Sequence, residues 1–326
     1  MILTPDKKKL QSIAKIIRQS KTFFIAGHVK PDGDSLGSAF ALRSVLSRLG
    51  KTAEVYCRDE VPQFLSFLKN SKKIKKSAKK TDLFDCAIIL ESIDFARMGD
   101  IISKQQAKKI INIDHHLMFT PFGDINYVVP NSSSVSELVF FLFEYMKIKL
   151  TKDEADCLYT GIVTDTGRFQ QSNTTPNSHI AAAKLIQIGV NPEEIYSNVY
   201  GSASLVSLKL LGLALSNIKM EFNGTFAYSV LTKDMFKQSG AEDNETEGIV
   251  NFLLSIKGVK AACLFKEVDG NSTKASLRSV KTVNVLDIVK QCGGGGHKTA
   301  AGCTVCKPPA QAVLFIKQLL KGRLNA

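Results

Sequence analysis

The sequence lacks an apolar run long enough to cross a membrane, and it has few prolines and few cysteines. A spanning helix needs roughly 18 apolar residues, whereas the longest run here, residues 139–143, has the length of a core segment. The seven cysteines are odd in number and scattered, which favours free thiols in a reducing cytoplasm over a disulfide framework. Residues 1–10 turn polar and lysine-rich where a signal peptide is apolar, so we expect a cytoplasmic protein with no membrane partner.

Positive charge exceeds negative charge by a wide margin. Lys and Arg number 43 against 30 Asp and Glu, a net charge of +13, which fits an anionic partner such as nucleic acid or a nucleotide phosphate. Residues 69–80 hold seven lysines, and we interpret them as a solvated face, because a nucleic-acid patch needs basic groups gathered in space as well as in sequence. Single cores stop growing at roughly 250 to 300 residues, so 326 residues favour two domains that share a cleft.

The order of predicted elements indicates an α/β fold in the first part of the chain. Strand, loop, helix and strand follow one another from residue 22 to residue 57, and the alternation continues with strands predicted at 86–90 and 109–113. This rhythm is typical of a mainly parallel sheet with helices on its faces. We therefore predict an N-terminal α/β domain over residues 1–190.

The second part of the chain has a different pattern. Helical connectors fill residues 191–217, which we interpret as a linker. Four strand candidates then follow, with helices between and after them, and they predict a smaller α+β domain over residues 218–326.

The most informative segment follows the first predicted strand, where residues 28–34 read HVKPDGD. In open α/β sheets, ligands bind beyond the carboxyl ends of the strands. Asp32 and Asp34 lie two residues apart in a bendable loop, and neighbouring carboxylates repel unless a cation or a shared proton compensates. A hard divalent metal, with His28 as a nitrogen ligand, is one interpretation. A helix cap formed by Asp34 or Ser35 is the other.

Two further polar clusters lie at the ends of predicted elements. Another apolar strand ends in Asp114, His115 and His116, and at a strand end both imidazoles can reach the same crevice. Residues 160–169 place Asp165 among hydroxyls and glycines at a helix end. A single aspartate there would be read as a cap, but three such clusters in one domain are hard to explain as independent caps.

Together these segments resemble the DHH phosphoesterase superfamily. Residues 28–34, 114–116 and 164–167 look like its first, third and fourth motifs, in the expected order. Residues 292–297, CGGGGH, followed by AAG at 300–302, resemble the glycine-rich motif of the DHH-associated domain. The arrangement is most similar to the nanoRNase and pAp phosphatase branch, whose two-domain enzymes degrade very short RNA and dephosphorylate 3',5'-bisphosphorylated adenosine.

The resemblance implies two divalent metal ions in a cleft between the domains. One ion would be held by His28, Asp32 and a bridging acid, and the other by the same acid together with Asp34, His115 and Asp165. The family favours manganese, with magnesium or cobalt as alternatives, and an oxygen and imidazole ligand set without thiolates agrees with this. Such a pair of ions activates a water molecule for in-line attack on phosphorus, with no covalent protein nucleophile.

The bridging acid is where the sequence departs from the family. The second motif of the family ordinarily has Asp at the end of a strand and Arg several residues later, whereas residues 88–97 read IILESIDFAR here. The spacing from Arg97 assigns the bridge to Glu91, with Asp94 as the alternative. Glu retains the carboxylate but adds a methylene, so it spans two cations only if the backbone or the ions shift slightly.

The resemblance also implies catalytic and substrate-binding roles. His116 would face the substrate phosphate or orient neighbouring ligands, and Asp114 would support the histidine pair. The residues expected to contact the substrate are Arg97, Arg278, Gly294, Gly295, Gly296 and His297. Without the resemblance, the glycines would be read as a flexible turn and the arginines as salt-bridge partners.

A zinc site is a rival interpretation of the last cysteines. Cys292, His297, Cys303 and Cys306 are ligand types that zinc accepts, but only Cys303 and Cys306 have the spacing of a ligand pair.

We therefore expect a cytoplasmic two-domain hydrolase that acts on short single-stranded RNA and on the nucleotide bisphosphate pAp. A linear or cyclic dinucleotide phosphodiesterase is the nearest alternative. A nucleotide-binding protein without catalysis is a hypothesis from a different class, and only Glu91 in place of Asp suggests it. A homodimer is left open by the sequence.

Overall fold

The computed structural model describes residues 6–116, 120–201, 203–246 and 248–324, apart from the side chains of Asn244 and His297. The chain divides into two units, Met1–Ser202 and Ala203–Ala326. The division falls inside the segment 191–217 that the sequence predicts as a helical linker. That segment contains two helices, one in each unit.

A five-stranded parallel sheet organises the N-terminal unit, which confirms the predicted α/β fold. The strand order is β2-β1-β3-β4-β5, and all four neighbouring pairs are parallel. Every residue of β3 and β4 is buried, because helices or loops cover both faces of the sheet and the strands are therefore continuous apolar runs. The strands are β1 Thr22–Ala26, β2 Thr52–Tyr56, β3 Cys86–Leu90, β4 Ile110–Asp114 and β5 Ile125–Val128.

Among the described residues, six α-helices accompany this sheet, and each begins at a side chain that accepts a hydrogen bond from a backbone N–H of its first turn. The helices are α1 Lys7–Gln19, α2 Gly33–Arg48, α3 Val135–Tyr145, α4 Lys152–Asp165, α5 Pro176–Ile188 and α6 Pro192–Val199. The main core lies between the helices and one face of the sheet, and a smaller apolar cluster covers the other face.

In the described part of the C-terminal unit, six strands form a mixed sheet of order β10-β11-β9-β8-β7-β6, in which β7 and β8 pair in parallel and the other neighbouring pairs are antiparallel. Separate apolar clusters lie against its two faces. The strands are β6 Lys219–Glu221, β7 Phe226–Leu231, β8 Ala261–Asp269, β9 Ser272–Ser279, β10 Gly295–His297 and β11 Ala300–Val305. The helices are α7 Leu205–Ser216, α8 Lys233–Ser239, α9 Ile249–Leu254, α10 Leu286–Val289 and α11 Pro309–Leu320.

Among the described helices, none has both the length and the apolar character that a membrane span requires.

A buried carboxylate joins α2 to α4. Glu154 is fully buried, and its side chain accepts hydrogen bonds from Arg48 Nε at 2.8 Å, from Ser44 Oγ at 2.8 Å and from the N–H of Thr151 at 2.8 Å. Burial alone would raise the pKa of Glu154, but the hydrogen bonds from Arg48, Thr151 and Ser44 outweigh it and hold the pKa below its ordinary value. Arg48 therefore compensates a charge that has no access to water.

We expect Arg48→Ala to lower the free energy of unfolding by about 3 kcal/mol, because it leaves a buried carboxylate without its cation. Lys69→Ala is the control, since Lys69 pairs with a partly exposed Asp153 and such pairs contribute about 0 to 1 kcal/mol. Urea unfolding at neutral pH measures both changes, and equal costs would contradict the role of Arg48. Because the folded pKa of Glu154 is lowered, the difference from wild type should be complete well above the unfolded pKa of about 4.3 and should be lost as pH falls through the lower, folded pKa.

Gly37 allows α2 and α4 to approach each other closely. A Cβ at position 37 would lie closer than 3.0 Å to the backbone carbonyl oxygen of Cys157 on α4. Since backbone atoms cannot move aside as a flexible side chain can, the two helices would have to separate.

We expect Gly37→Ala to destabilise the N-terminal unit by about 1 to 3 kcal/mol through overpacking. Gly212→Ala, in α7, is the matched control, because its added methyl would meet nothing within 4 Å and alanine is favoured in helices by about 0.5 to 1 kcal/mol. Urea unfolding should show a lower free energy of unfolding for Gly37→Ala and a slightly higher one for Gly212→Ala. If Gly37→Ala left the free energy of unfolding unchanged or raised it, the close approach of α2 and α4 would not require glycine at position 37.

Candidate metal centre

The carboxyl ends of three adjacent parallel strands bring the polar residues together. β1, β3 and β4 lie side by side in the sheet, and the chain reaches His28, Glu91 and His115 directly after these strands. Asp34 lies in the first turn of α2, and Asp165 is the last residue of α4. The predicted site residues thus come from element ends, where side chains of parallel sheets meet a common edge.

His28, Asp32 and Glu91 form the first cluster. His28 Nε2 lies 3.6 Å from Asp32 Oδ2 and 3.6 Å from Glu91 Oε2. One ligating atom from each residue lies within 4.8 Å of the others. An imidazole and two carboxylates at this spacing can hold a divalent cation.

Asp34, His115 and Asp165 form the second cluster. Their ligating atoms also lie within 4.8 Å of one another, and His115 Nε2 lies 3.6 Å from Asp165 Oδ2. Asp34 is buried, with 1% of its surface exposed. The structure therefore brings all six predicted ligands into two groups of three, with Glu91 in the first group.

Backbone carbonyl groups orient both histidines. His28 Nδ1 lies 2.7 Å from the carbonyl oxygen of Val29, and His115 Nδ1 lies 3.2 Å from that of Ser132. A carbonyl only accepts hydrogen bonds, so each Nδ1 carries a proton and each Nε2 faces its cluster, where the neutral imidazole can offer its lone pair to a cation.

Asp32 both caps α2 and belongs to the first cluster, whereas the sequence offered a helix cap and a metal site as alternative interpretations of its segment. Its Oδ1 caps α2 by accepting hydrogen bonds from the N–H groups of Asp34 at 3.1 Å and Ser35 at 2.9 Å. The cap is therefore Asp32, rather than Asp34 or Ser35. Its Oδ2 remains directed at His28, so capping holds the carboxylate in place for the first cluster.

The clusters concentrate negative charge in a buried place. Burial raises the pKa of Glu91 well above its ordinary value, and the charges of Asp32 and Asp34 raise it further. Burial and the charge of Asp34 raise the pKa of Asp165 to about 7. Burial disfavours the charged form of His28, but the carboxylates of Asp32 and Glu91, each 3.6 Å from Nε2, outweigh this and raise its pKa to about 11. Each of these raised pKa values means that the group binds a proton, and hence a positive charge, more readily than it does in water.

Glu91 has two unusual features that fit a cation ligand. Its backbone φ is +53°, a left-handed conformation that glutamate rarely adopts. Its Oε2 is buried and has no hydrogen-bond partner among the described residues, which is costly unless another group compensates. Asp94, the alternative bridge, lies in neither cluster, and its Oδ1 instead accepts a hydrogen bond from the N–H of Arg97 at 2.9 Å.

Asp114 holds His116 beside the second cluster. Asp114 is fully buried, and its Oδ1 accepts hydrogen bonds from the N–H groups of His115 at 2.7 Å and His116 at 3.1 Å. The same oxygen lies 2.7 Å from His116 Nδ1. This bond leaves Nε2 of His116, whose side chain is 34% exposed, as the nitrogen that can meet a ligand.

The predicted substrate-binding residues occur in both units. Arg97 lies in the loop after β3, where its carbonyl accepts a hydrogen bond from the N–H of Val29 at 3.0 Å. In the C-terminal unit, Arg278 on β9 pairs with Ala300 of β11. The side chain of His297 lies outside what the structure describes.

The glycine-rich segment has a structural reason for two of its glycines. A Cβ at Gly296 would lie 2.5 Å from the carbonyl oxygen of Ala300, and one at Gly294 would collide with the carbonyl of Gly302. These glycines let the segment pack on β11. A Cβ at Gly293 or at Gly295 would meet none of the described atoms within 4 Å, so the backbone is open at these two positions.

Several residues that support the second cluster were not predicted. The carboxylate of Asp34 accepts hydrogen bonds from the N–H groups of Val135 at 2.6 Å and Ser136 at 2.7 Å, at the start of α3. Asn173 Nδ2 donates to Asp165 Oδ2 at 3.1 Å. Ser134 and Glu137 have the spacing of an α3 cap, but no sequence pattern indicates that this helix start faces Asp34.

Comparison with known proteins identifies the family. The profile of the N-terminal domain of the DHH family matches residues 22–162, and the profile of the DHHA1 domain matches residues 223–325. The bifunctional oligoribonuclease and PAP phosphatase NrnA of Thermus thermophilus is 31% identical over 300 residues, which are 91% of this chain and 89% of that protein. The protein of the same name from Bacillus subtilis is 30% identical over 87% of this chain and 89% of its own length.

A solved structure agrees with the sequence comparison. An exopolyphosphatase-related protein of Bacteroides fragilis superposes with a TM-score of 0.89 at 30% identity, and the match covers 98% of each chain. The resemblance found in the motifs is thereby confirmed: the chain belongs to the DHH family and carries a DHHA1 domain after its N-terminal domain.

Proposed function

We propose that this chain is a metal-dependent phosphoesterase that hydrolyses very short oligoribonucleotides and pAp. The observation that carries the proposal is the gathering of six ligating side chains into two three-residue clusters at the carboxyl edge of the sheet. Relatives about 30% identical over some nine-tenths of the chain are named as oligoribonuclease and PAP phosphatase, which supports this substrate class. The net charge of +13 suits anionic substrates, and seven free cysteines suit a reducing cytoplasm.

We assign one divalent cation to the first cluster and a second cation to the second cluster, with Glu91 as the shared ligand. The oxygen and imidazole donors suit manganese, and magnesium or cobalt are alternatives. When bound, such cations would supply Lewis acidity, which would lower the pKa of a bound water and neutralise charge on the phosphoryl oxygens.

The protein's own groups then orient the substrate. Asp114 fixes the ring of His116 through Nδ1–H, which leaves Nε2 to face the substrate phosphate, where the imidazolium form donates a hydrogen bond to a phosphate oxygen. Arg97 and Arg278 provide planar guanidinium groups that pair with phosphate or stack on bases. Gly294, Gly295, Gly296 and His297 are proposed as further substrate contacts, and the backbone at Gly295 has room for a ligand to approach.

Parallel assays with pAp, pApA, a cyclic dinucleotide and a five-residue RNA test the substrate class. We expect manganese-dependent release of nucleotide from pAp and from the shortest RNA. Preferred hydrolysis of the cyclic dinucleotide would favour a signalling phosphodiesterase and contradict the proposal.

We expect Asp34→Ala to lower the rate on pAp by at least about 100-fold, because loss of a ligand should cost at least as much as loss of an outer-shell partner. Asp153→Ala, which removes a carboxylate from an ion pair on the protein surface, is the control and should retain activity. Initial rates at saturating manganese measure both. An absence of turnover in the wild-type protein would instead indicate a nucleotide-binding protein without catalysis.

We expect Glu91→Asp to retain or raise activity, since aspartate keeps the carboxylate and tolerates a positive φ better than glutamate. Glu91→Ala should abolish activity, and Asp94→Ala should leave it largely intact. Rates and manganese affinity of the three variants check the assignment. If Asp94→Ala lost both while Glu91→Ala lost neither, the bridging acid would be Asp94.

A further inference from the structure

A buried carboxylate next to the second cluster is not one of the proposed ligands. Glu137 lies in the first turn of α3 and is 1% exposed. Its Oε1 accepts a hydrogen bond from Ser132 Oγ at 2.8 Å, and its Oε2 accepts one from Ser133 Oγ at 2.6 Å. The N–H of Ser133 and the hydroxyl of Thr175 also donate to Oε2, at 3.3 and 3.4 Å. The carboxylate of Glu137 therefore fixes Ser132 and Ser133. We call residues 132–134 the serine segment.

The serine segment contacts His115 through its backbone. The carbonyl oxygen of Ser132 accepts the hydrogen bond from His115 Nδ1 at 3.2 Å. This bond sets the tautomer and the ring orientation that direct Nε2 into the second cluster. A shift of Ser132 would therefore turn the imidazole.

The same segment begins the helix that holds Asp34. Ser134 caps α3 by accepting the N–H of Glu137 at 3.0 Å. The next two residues, Val135 and Ser136, donate their N–H groups to the two carboxylate oxygens of Asp34. Both donors belong to a helix N-terminus, whose dipole favours a negative group. The position of Asp34 thus depends on where α3 starts.

Asn173 connects the serine segment to Asp165, the third ligand of the second cluster. Asn173 Nδ2 donates to the carbonyl oxygen of Ser133 at 3.0 Å and to Asp165 Oδ2 at 3.1 Å. Ser133 donates both its hydroxyl and its N–H to the carboxylate of Glu137. A displaced Ser133 would release Asn173 and, with it, the carboxylate of Asp165.

We propose that Glu137 is a positioning residue that sets Asp34, His115 and Asp165 together by fixing the serine segment. The inference rests on the proposed function, since it concerns the ligands of the second metal ion. The first cluster is held differently, by the carbonyl of Val29 and by the start of α2. Loss of Glu137 therefore weakens the second metal site selectively.

A manganese titration of metal-stripped protein tests this selectivity. Electron paramagnetic resonance of free manganese counts the ions bound and gives the affinity of each step. We expect Glu137→Ala to weaken binding of the second ion by about 10- to 100-fold, as for other outer-shell partners, and to leave the first ion near its wild-type affinity. Glu137→Gln keeps the shape of the side chain and one acceptor oxygen, so its affinity for the second ion should fall less.

Glu144→Gln is the matched control, because Glu144 lies on the same helix but is partly exposed and pairs with Lys184. It should bind both ions as the wild type does. Unchanged affinity for the second ion in Glu137→Ala, or an equal loss for both ions, overturns the positioning role while the proposed function stands. If Glu137→Ala is too unstable to purify, the same two outcomes in Glu137→Gln decide. Wild-type protein that binds no manganese would overturn the proposed function as well.

Discussion

Repulsion between buried carboxylates is the constraint on which the candidate centre depends. Burial raises the pKa of Glu91 and of Asp34, and the charge of Asp32 raises both further. Two imidazoles lie among these acids and compensate only part of the charge. Divalent cations compensate more, because they carry two charges and accept several oxygen ligands. Without such compensation, the fold holds together groups that would otherwise move apart or take up protons.

Helix starts and backbone carbonyls keep these groups in position. Asp32 accepts the first N–H groups of α2, and Asp34 accepts those of α3, so that each carboxylate is stabilised by a helix N-terminus. The carbonyls of Val29 and Ser132 hold the two histidines. Rigid elements thus provide the geometry, and Glu137 extends this support to the loop before α3.

Much of the centre could be anticipated from local patterns. Each of the six ligands adjoins an element end that can be read from apolar runs and capping residues, and the parallel topology places strand ends at one edge. The double use of Asp32 was missed, because sequence patterns treat a cap and a ligand as alternatives. Asn173 and Glu137 were missed as supports, because the cap spacing of Ser134 and Glu137 indicates only a helix start and Asn173 belongs to no motif.

The sequence by itself determined most of the strands and helices, the two-part organisation, the DHH resemblance and the identity of the candidate ligands, although it missed the short strands β5, β6 and β10. These depend on local periodicity and on residues close together in the chain. Only the tertiary structure decided which ligands meet, which nitrogen of each histidine faces them, and that Glu91 rather than Asp94 lies beside His28. The physical reason is distance along the chain: Asp34 and the N–H of Ser136 are 102 residues apart, and no local preference encodes such a contact.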